Sequence, residues 1–501
     1  MARCIMVQGT MSGAGKSLLA AALCRIFRQD GYRTAPFKGQ NMALNSYITR
    51  DGLEMGRAQA VQAEAAGVAP DVRMNPVLLK PSSDTGSQLI VNGEVRGCYQ
   101  AVEYFRLKPS LTPEVLAAYQ SLAAEYDILV IEGAGSPAEI NLKGDSFVNM
   151  GLAALVNAPV LLVGDIDRGG VFAQLYGTVA LLEEEERRRI VGTIINKFRG
   201  DRALLTPGLA LLEEKTKKPV LGVIPYARVD IDDEDSLSDR LDQVRHDRPL
   251  DIAILRLPRL SNFTDFAPLE AHEAVGVRYV SRADALRTPD LILLPGTKST
   301  MDDLLWLRQQ GLEGAVQKLA RAGTPVLGVC GGYQMLGQTL SDPEGVERGG
   351  TMAGMGLLPC DTVFLPQKTR TQTTARVTAE PFAGAGLEGY EIHMGQTTRR
   401  HGTPFCLLAD GREDGTAAGN VFGTYLHGLF DSGDLTGRLA DWLLRRKGLT
   451  PGQVQTEHRR AYRQRQYDLL ADVVREHLDL PAVYGAMEQY ERGGPYASRR
   501  D

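Results

Sequence analysis

Short apolar runs separated by amphipathic stretches dominate the first half of the chain: Cys4 to Val7, Ile128 to Ile131, Val160 to Val163, Ile190 to Ile195 and Val220 to Ile224. They are rich in Val, Ile and Leu and lack period-two alternation, so they read as parallel strands covered on both faces and joined by helices. The implied class is α/β, an open, doubly wound, mostly parallel sheet with ligands at the carboxyl ends of its strands. From Tyr226 to Pro249 acidic and polar residues take over, including Asp230, Asp232, Asp233, Glu234 and Asp235. A linker is expected at 229–249, after a first domain at 1–228. Strand signals restart at Ile252 to Leu255, Leu291 to Leu294 and Val326 to Val329, followed by a more β-rich region toward Tyr425. That predicts a second α/β domain at 250–435. The remainder, 436–501, reads as helices with charged faces that pack on one of the domains.

A chain of 501 residues is long for one core, which agrees with two substantial domains. Hydrophobic residues make up 43% and charged residues 23%, enough to build cores and too little net charge for a disordered polyelectrolyte. The longest apolar run, around Leu152 to Val163, is broken by Asn157 and Pro159 and falls short of the roughly 20 residues a membrane helix needs. The start, MARCIMVQG, passes straight into a glycine-rich turn without a secretory apolar core, so a cytoplasmic address is expected. Six cysteines are scattered without a Cys-x-x-Cys pair, which argues against a zinc site and a disulfide framework. A net charge of −5 gives no electrostatic reason to expect nucleic acid as a partner.

Directly after the first strand comes GTMSGAGKS, Gly9 to Ser17, leading into the helical run LLAAALCRIF. Glycines let backbone N–H groups close around phosphate oxygens, a Lys neutralises the terminal phosphates and a hydroxyl serves magnesium. Gly13, Gly15, Lys16 and Ser17 supply these parts. The usual spacing is met when Thr10 stands in the first glycine's place, a longer loop found in the dethiobiotin-synthetase-like group of P-loop enzymes. ATP and Mg2+ are therefore the expected cofactors. Glu132, at the end of the strand Val130-Ile131-Glu132, is the candidate second magnesium ligand beside Ser17, with a capping role as the alternative. Lys38, in PFKGQN, either reaches the transferred phosphoryl group or a substrate carboxylate, or is a surface lysine. Asn196, before Lys197, resembles the adenine-reading position of this group. Asp145, Asp165 and Asp167 sit at strand ends or in following loops, where they hold metal or substrate or simply make turns.

Pro325 to Gly337 reads PVLGVCGGYQMLG, in which Gly328-x-Cys330-x-Gly332 is a nucleophile elbow carrying sulfur. The glycines permit a turn tight enough to lift the side chain clear of the sheet, and the helix behind it favours thiolate. Cys330 is the expected nucleophile. Its base should be a histidine: His427, ending VFGTYLHG, has the best context, and His393 in GYEIHMG is the rival. The N–H groups of Gly331 and of Gly296, in LLPGTKS, are the candidate oxyanion donors.

The combination resembles the cobyric acid synthase family, a dethiobiotin-synthetase-like ATP domain fused ahead of a class I glutamine amidotransferase domain. The resemblance covers nearly the whole chain and is carried by GTMSGAGKS, by FKGQNMALNSYITRDGLEMGRAQAVQA from Phe37 to Ala63, by DIDRGG at Asp165 to Gly170, by VCGGYQMLG and by YEIHMG. It places the family's nucleophile on Cys330 and its catalytic histidine on His427. Most amidotransferases of this class carry a glutamate two residues after that histidine, where this chain has Leu429, so Glu391, Asp431 or a backbone carbonyl are the candidates to orient the imidazole. The resemblance implies glutamine and a corrinoid as substrates, with amidation of the b, d, e and g carboxylates of adenosyl-cobyrinic acid a,c-diamide. The neighbouring reading is the a,c-diamide synthase, and the reading from another class is a ParA-like switch ATPase.

Overall fold

The computed structural model describes residues 2–81, 86–142, 147–227, 229–231, 248–432, 434–451 and 459–493. Asp145 and the acidic stretch from Asp232 to Asp235 lie outside them. In the amino-terminal half, six parallel strands form one sheet in the order Val220–Pro225, Ile190–Phe198, Val160–Asp165, Arg3–Gly9, Ile128–Glu132, Thr34–Phe37. On one face Ile5, Val7, Ile128, Val130, Leu161, Val163 and Ile194 share a core with the helix Lys16–Gln29, and on the other Met6, Leu129, Ile131, Leu162 and Ile195 are buried as well, which is why these runs show no polar face. Register levels the carboxyl ends: Val7 lies beside Glu132, Gly9 beside Val163 and Asp165 beside Asn196. The chemistry-bearing residues of four strands thus reach one edge.

Two parts of this half carry no sequence signal of their own. A four-stranded sheet joins Gln40–Met42, Val77–Pro81, Gly86–Val91 and Glu94–Gln100, and Ser46–Ile48 pairs with Glu54–Gly56. Gln40–Met42, Ser46–Ile48 and Glu54–Gly56, at three residues each, are too short to show a period.

In the carboxyl-terminal half, the strands Val275–Val280, Leu250–Leu255, Leu291–Leu294, Val326–Val329 and Val421–Thr424 run parallel, with Thr416–Ala418 antiparallel at one edge. The β-rich region is a second sheet built on the long antiparallel pair Cys360–Val377 and Gly386–Arg399. The run VFGTYLHG is split between the two sheets. Val421–Thr424 lies beside Val326–Val329, whereas Leu426–His427 pairs with Tyr390 and Glu391.

The chain forms two compact units that cut across the expected boundaries. One comprises Met1–Ala43, Met55–Ile231 and Arg463–Asp501, the other Leu44–Glu54 and Asp232–Tyr462. The helices after 435 are accordingly divided. The helix Asp434–Arg446 buries Leu435, Leu439, Leu443 and Leu444 in the second core, while Arg459–His477 and Leu480–Glu491 bury Tyr467, Leu470, Val474, Val483 and Met487 in the first. Among the described residues, no helix is long and apolar enough to cross a membrane.

Candidate functional site

At the end of the strand Arg3–Gly9 the chain turns through Thr10 to Gly15 and enters the helix at Lys16. Thr10 extends the strand, its N–H donating to Val163 O, and its hydroxyl bonds Gln174. Lys16 Nζ spans the loop, donating to Met11 O at 3.1 Å and Gly135 O at 3.0 Å. Gly13 and Gly15 have φ of +75° and +94°. At Gly15 nothing larger fits, because a Cβ there would lie 2.1 Å from Asn196 Nδ2. That amide nitrogen donates to Ala14 O at 3.0 Å, so the donor half of Asn196 braces the loop, a different use from reading a base. Lys197 braces it too, donating to Gly13 O and to Asp165, both at 2.8 Å.

Glu132 is the hub of this site. Its Oε1 accepts from Ser17 Oγ at 2.9 Å and Lys38 Nζ at 2.8 Å, and its Oε2 from Gln62 at 2.5 Å and Gln59 at 3.3 Å. Glu132 is 1% exposed and Lys38 3%, so the surface-lysine reading of Lys38 is corrected: it is the buried counterion of Glu132. Gln59 and Gln62 come from the helix Arg57–Ala66, within the segment that carried the family resemblance.

In the second unit Cys330 sits between the strand Val326–Val329 and the short helix Gly331–Leu336 with φ +51° and ψ −109°. That is strained backbone for a residue with a Cβ, and it marks the nucleophile elbow. Gly332 makes the turn possible, since a Cβ there would lie 2.1 Å from Leu294 O. The sulfur is 3.5 Å from Ile392 O.

His427 is buried against Cys330, with which its ring interacts, and its Nδ1 lies 2.6 Å from Asp265 Oδ2. Asp265 Oδ1 also accepts the N–H of Gly428 at 3.1 Å. Burial pulls the imidazole's pKa down, but the Asp265 carboxylate and Cys330 outweigh it and raise the pKa to about 10. His393 is engaged elsewhere: its ring stacks on Tyr425 at 3.7 Å and its Nδ1 faces Gly395 O. Glu391 is bound to Arg412, and neither Glu391 nor Asp431 holds the imidazole's Nδ1; Asp265 does. Gly296 lies beside His427, and Gly331 beside Thr297. A Cβ on Gly296 would lie 3.0 Å from His427 Cε1, and one on Gly331 would lie 3.1 Å from Thr297 N.

A profile of the CobQ/CobB/MinD/ParA nucleotide-binding domain matches residues 5–236, and one of the CobB/CobQ-like glutamine amidotransferase domain matches 251–435. A cobyric acid synthase of Ruminiclostridium cellulolyticum is 56% identical over 98% of each chain. Another, of Salmonella typhimurium, is 52% identical over 98% of this chain and 99% of its own. The chain belongs to the cobyric acid synthase family. A solved glutamine amidotransferase covers 40% of this chain at 16% identity and a TM-score of 0.29, too remote to bear on the site. Full-length identity with cobyric acid synthases disfavours both the a,c-diamide synthase and the switch-ATPase readings. Within this cobyric acid synthase fold, Asp265 answers the question that Leu429 raised. It lies 162 residues before His427 in SNFTDFAPLE, a stretch without a motif.

Proposed function

We propose that this chain, working in the cytoplasm, converts adenosyl-cobyrinic acid a,c-diamide to cobyric acid by amidating its b, d, e and g carboxylates with ATP and glutamine-derived ammonia. The reading is carried by His427 interacting with both Asp265 and Cys330 at a strained elbow, in one chain with a phosphate loop.

Asp265 keeps His427 protonated, and the imidazolium stabilises a thiolate on Cys330. The thiolate attacks the side-chain amide carbon of glutamine while the N–H groups of Gly296 and Gly331 receive the oxyanion. His427 then gives its proton to the departing nitrogen, which leaves as ammonia, and a thioester remains. The now neutral imidazole takes a proton from water as the water attacks the thioester, releasing glutamate and restoring the ion pair.

In the other unit, Thr10, Gly13, Gly15 and Lys16 cradle the phosphates of ATP, and Lys38 stands by for the transferred phosphoryl group. The substrate carboxylate takes that group, and ammonia displaces phosphate from the acyl phosphate. Magnesium prefers hydroxyl and carboxylate oxygens together with phosphate oxygens, and Ser17 Oγ and Glu132 Oε1, 2.9 Å apart, are the groups that would hold it. Bound there, the ion would spread negative charge on the phosphates.

The test pairs two variants. Cys330→Ala should lose glutamine-driven amidation and keep the ammonia-driven reaction, and Lys16→Ala should keep glutamate release and make no amide. Mass spectrometry of the corrinoid should show four added amides; a product that gains only two, starting from the form that still carries the a and c carboxylates, would mean the a,c-diamide synthase.

A further inference from the structure

Leu44–Glu54 is contributed by the amino-terminal part of the chain yet folds within the second unit. It is anchored there by buried polar groups. Ser46 N–H donates to Asn262 Oδ1 at 3.0 Å, and Ser46 Oγ donates to Glu54 Oε1 at 2.7 Å. The other oxygen of Glu54 accepts from Lys368, and Gln372 Nε2 donates to Ile48 O at 2.6 Å and Tyr47 OH at 3.0 Å. Ser46, Glu54 and Asn262 are all buried. A buried ion pair with this many directional bonds fixes a geometry more than it adds stability.

What it fixes lies behind His427. Asn262, in the left-handed region at φ +51°, opens the turn Phe263–Phe266, and its carbonyl accepts the N–H of Asp265 at 3.0 Å. Asn262 therefore holds the arm at its side chain and Asp265 at its backbone. On the other side, Tyr390 donates to Ser46 O, packs with Ile48 and Ile392, and stacks on the His427 ring with centroids 5.3 Å apart and planes at 17°. One segment thus touches the supports of both Asp265 and His427.

We infer that Leu44–Glu54 is a positioning arm of the glutaminase site, setting the Asp265 to His427 hydrogen bond through Asn262 and Tyr390. This rests on the glutamine-hydrolysing reading above and adds the arm to it. Truncating Asn262 to alanine would add backbone strain at its positive φ, so the test uses Asn262→Gly, which tolerates that conformation and removes the acceptor. Gln372→Leu removes the bonds to Ile48 and Tyr47, loosening the arm without touching Asn262. In the full-length enzyme, both should lower kcat for glutamate release by about tenfold or more, given the scale of general acid–base catalysis, with KM for glutamine nearly constant. Ammonia-driven amidation should be unchanged, and Asn262→Asp, which keeps the acceptor, should recover much of kcat. Glutamate release within twofold of wild type in both variants would overturn the inference, as would an equal fall in the glutamine- and ammonia-driven reactions. If Cys330→Ala itself releases glutamate at the wild-type rate, the underlying reading fails instead.

Discussion

In the proposed mechanism His427 must carry a proton to hand to the departing nitrogen, and Asp265, 2.6 Å from its Nδ1, is the residue proposed to keep it there. Replacing Asp265 by Asn keeps the shape and removes the charge. We expect Asp265→Asn to lower kcat for glutamate release by about 10²-fold or more. The alkaline limb of its pH–rate profile should lie closer to neutrality than that of the wild type, because the carboxylate that raises the imidazole's pKa is gone. The shift is also a stability statement. A histidine whose folded pKa exceeds its ordinary value of 6.5 contributes stability that is fully present below that value and is lost as pH rises through about 10. Denaturation curves should therefore show a steeper alkaline loss in the wild type than in Asp265→Asn. Glu132 is the corresponding residue of the phosphate site. Glu132→Gln removes the carboxylate from a buried ion pair with Lys38, a change that costs about 3–5 kcal/mol in such pairs. Chemical denaturation should register that loss, and ATP-dependent amidation should vanish while glutamate release survives. Cys330 and His427 were readable as candidates because an elbow is a local pattern of glycines around one side chain. Asp265 was not, because the aim of a single turn of 3₁₀ helix is set by tertiary packing, and Gln59 and Gln62 were hidden for the same reason on a helix surface.

Elements divide in the same way. Buried parallel strands announce themselves through continuous Val, Ile and Leu, so both parallel sheets could be outlined from the chain alone. The three-residue strands around Gln40–Met42 and Ser46–Ile48 could not, because pairing and not periodicity makes them strands. The terminal helices were recognisable as helices, but nothing in their charged faces tells which core they cover. The structure puts Arg459–His477 and Leu480–Glu491 on the phosphate-binding core, where Arg25 makes a bidentate pair with Asp468 and Gly222 bridges to Leu478. Leu470, buried at 3% exposure, tests that placement. Leu470→Ala should destabilise this unit by about 2–5 kcal/mol, the range for buried leucines. The loss should appear as a lower melting temperature that saturating ATP and magnesium partly restore, because a ligand that binds only the folded unit stabilises it by mass action. A variant that melts like the wild type would mean the helix is not part of this core.

Across the whole molecule, the order of the two activities along the chain was legible, but the exchange of segments between them was not. The first unit takes the chain from Arg463 onward, most of the last two helices, and the second takes Leu44–Glu54 from within the first. This sets what a cut chain can do. A fragment ending at Ile231 lacks Tyr467, Leu470, Ala471, Val474, Leu478, Leu480, Val483 and Met487 of its own core. At about 1.5–3 kcal/mol for each buried side chain, the missing burial matches or exceeds the 5–15 kcal/mol by which domains are stable at all. Such a fragment should aggregate or bind nucleotide only weakly when made alone. The complementary fragment, from Asp232 onward, retains Cys330, His427 and Asp265 but lacks the arm at Asn262, and should release glutamate slowly. Made together in one cell, each supplies what the other is missing, so the two should co-purify through a tag on either one and recover glutamine-driven amidation. A soluble 1–231 fragment with a cooperative melt and a wild-type response to ATP would show that the carboxyl-terminal helices are dispensable, and the exchange would then have no energetic meaning.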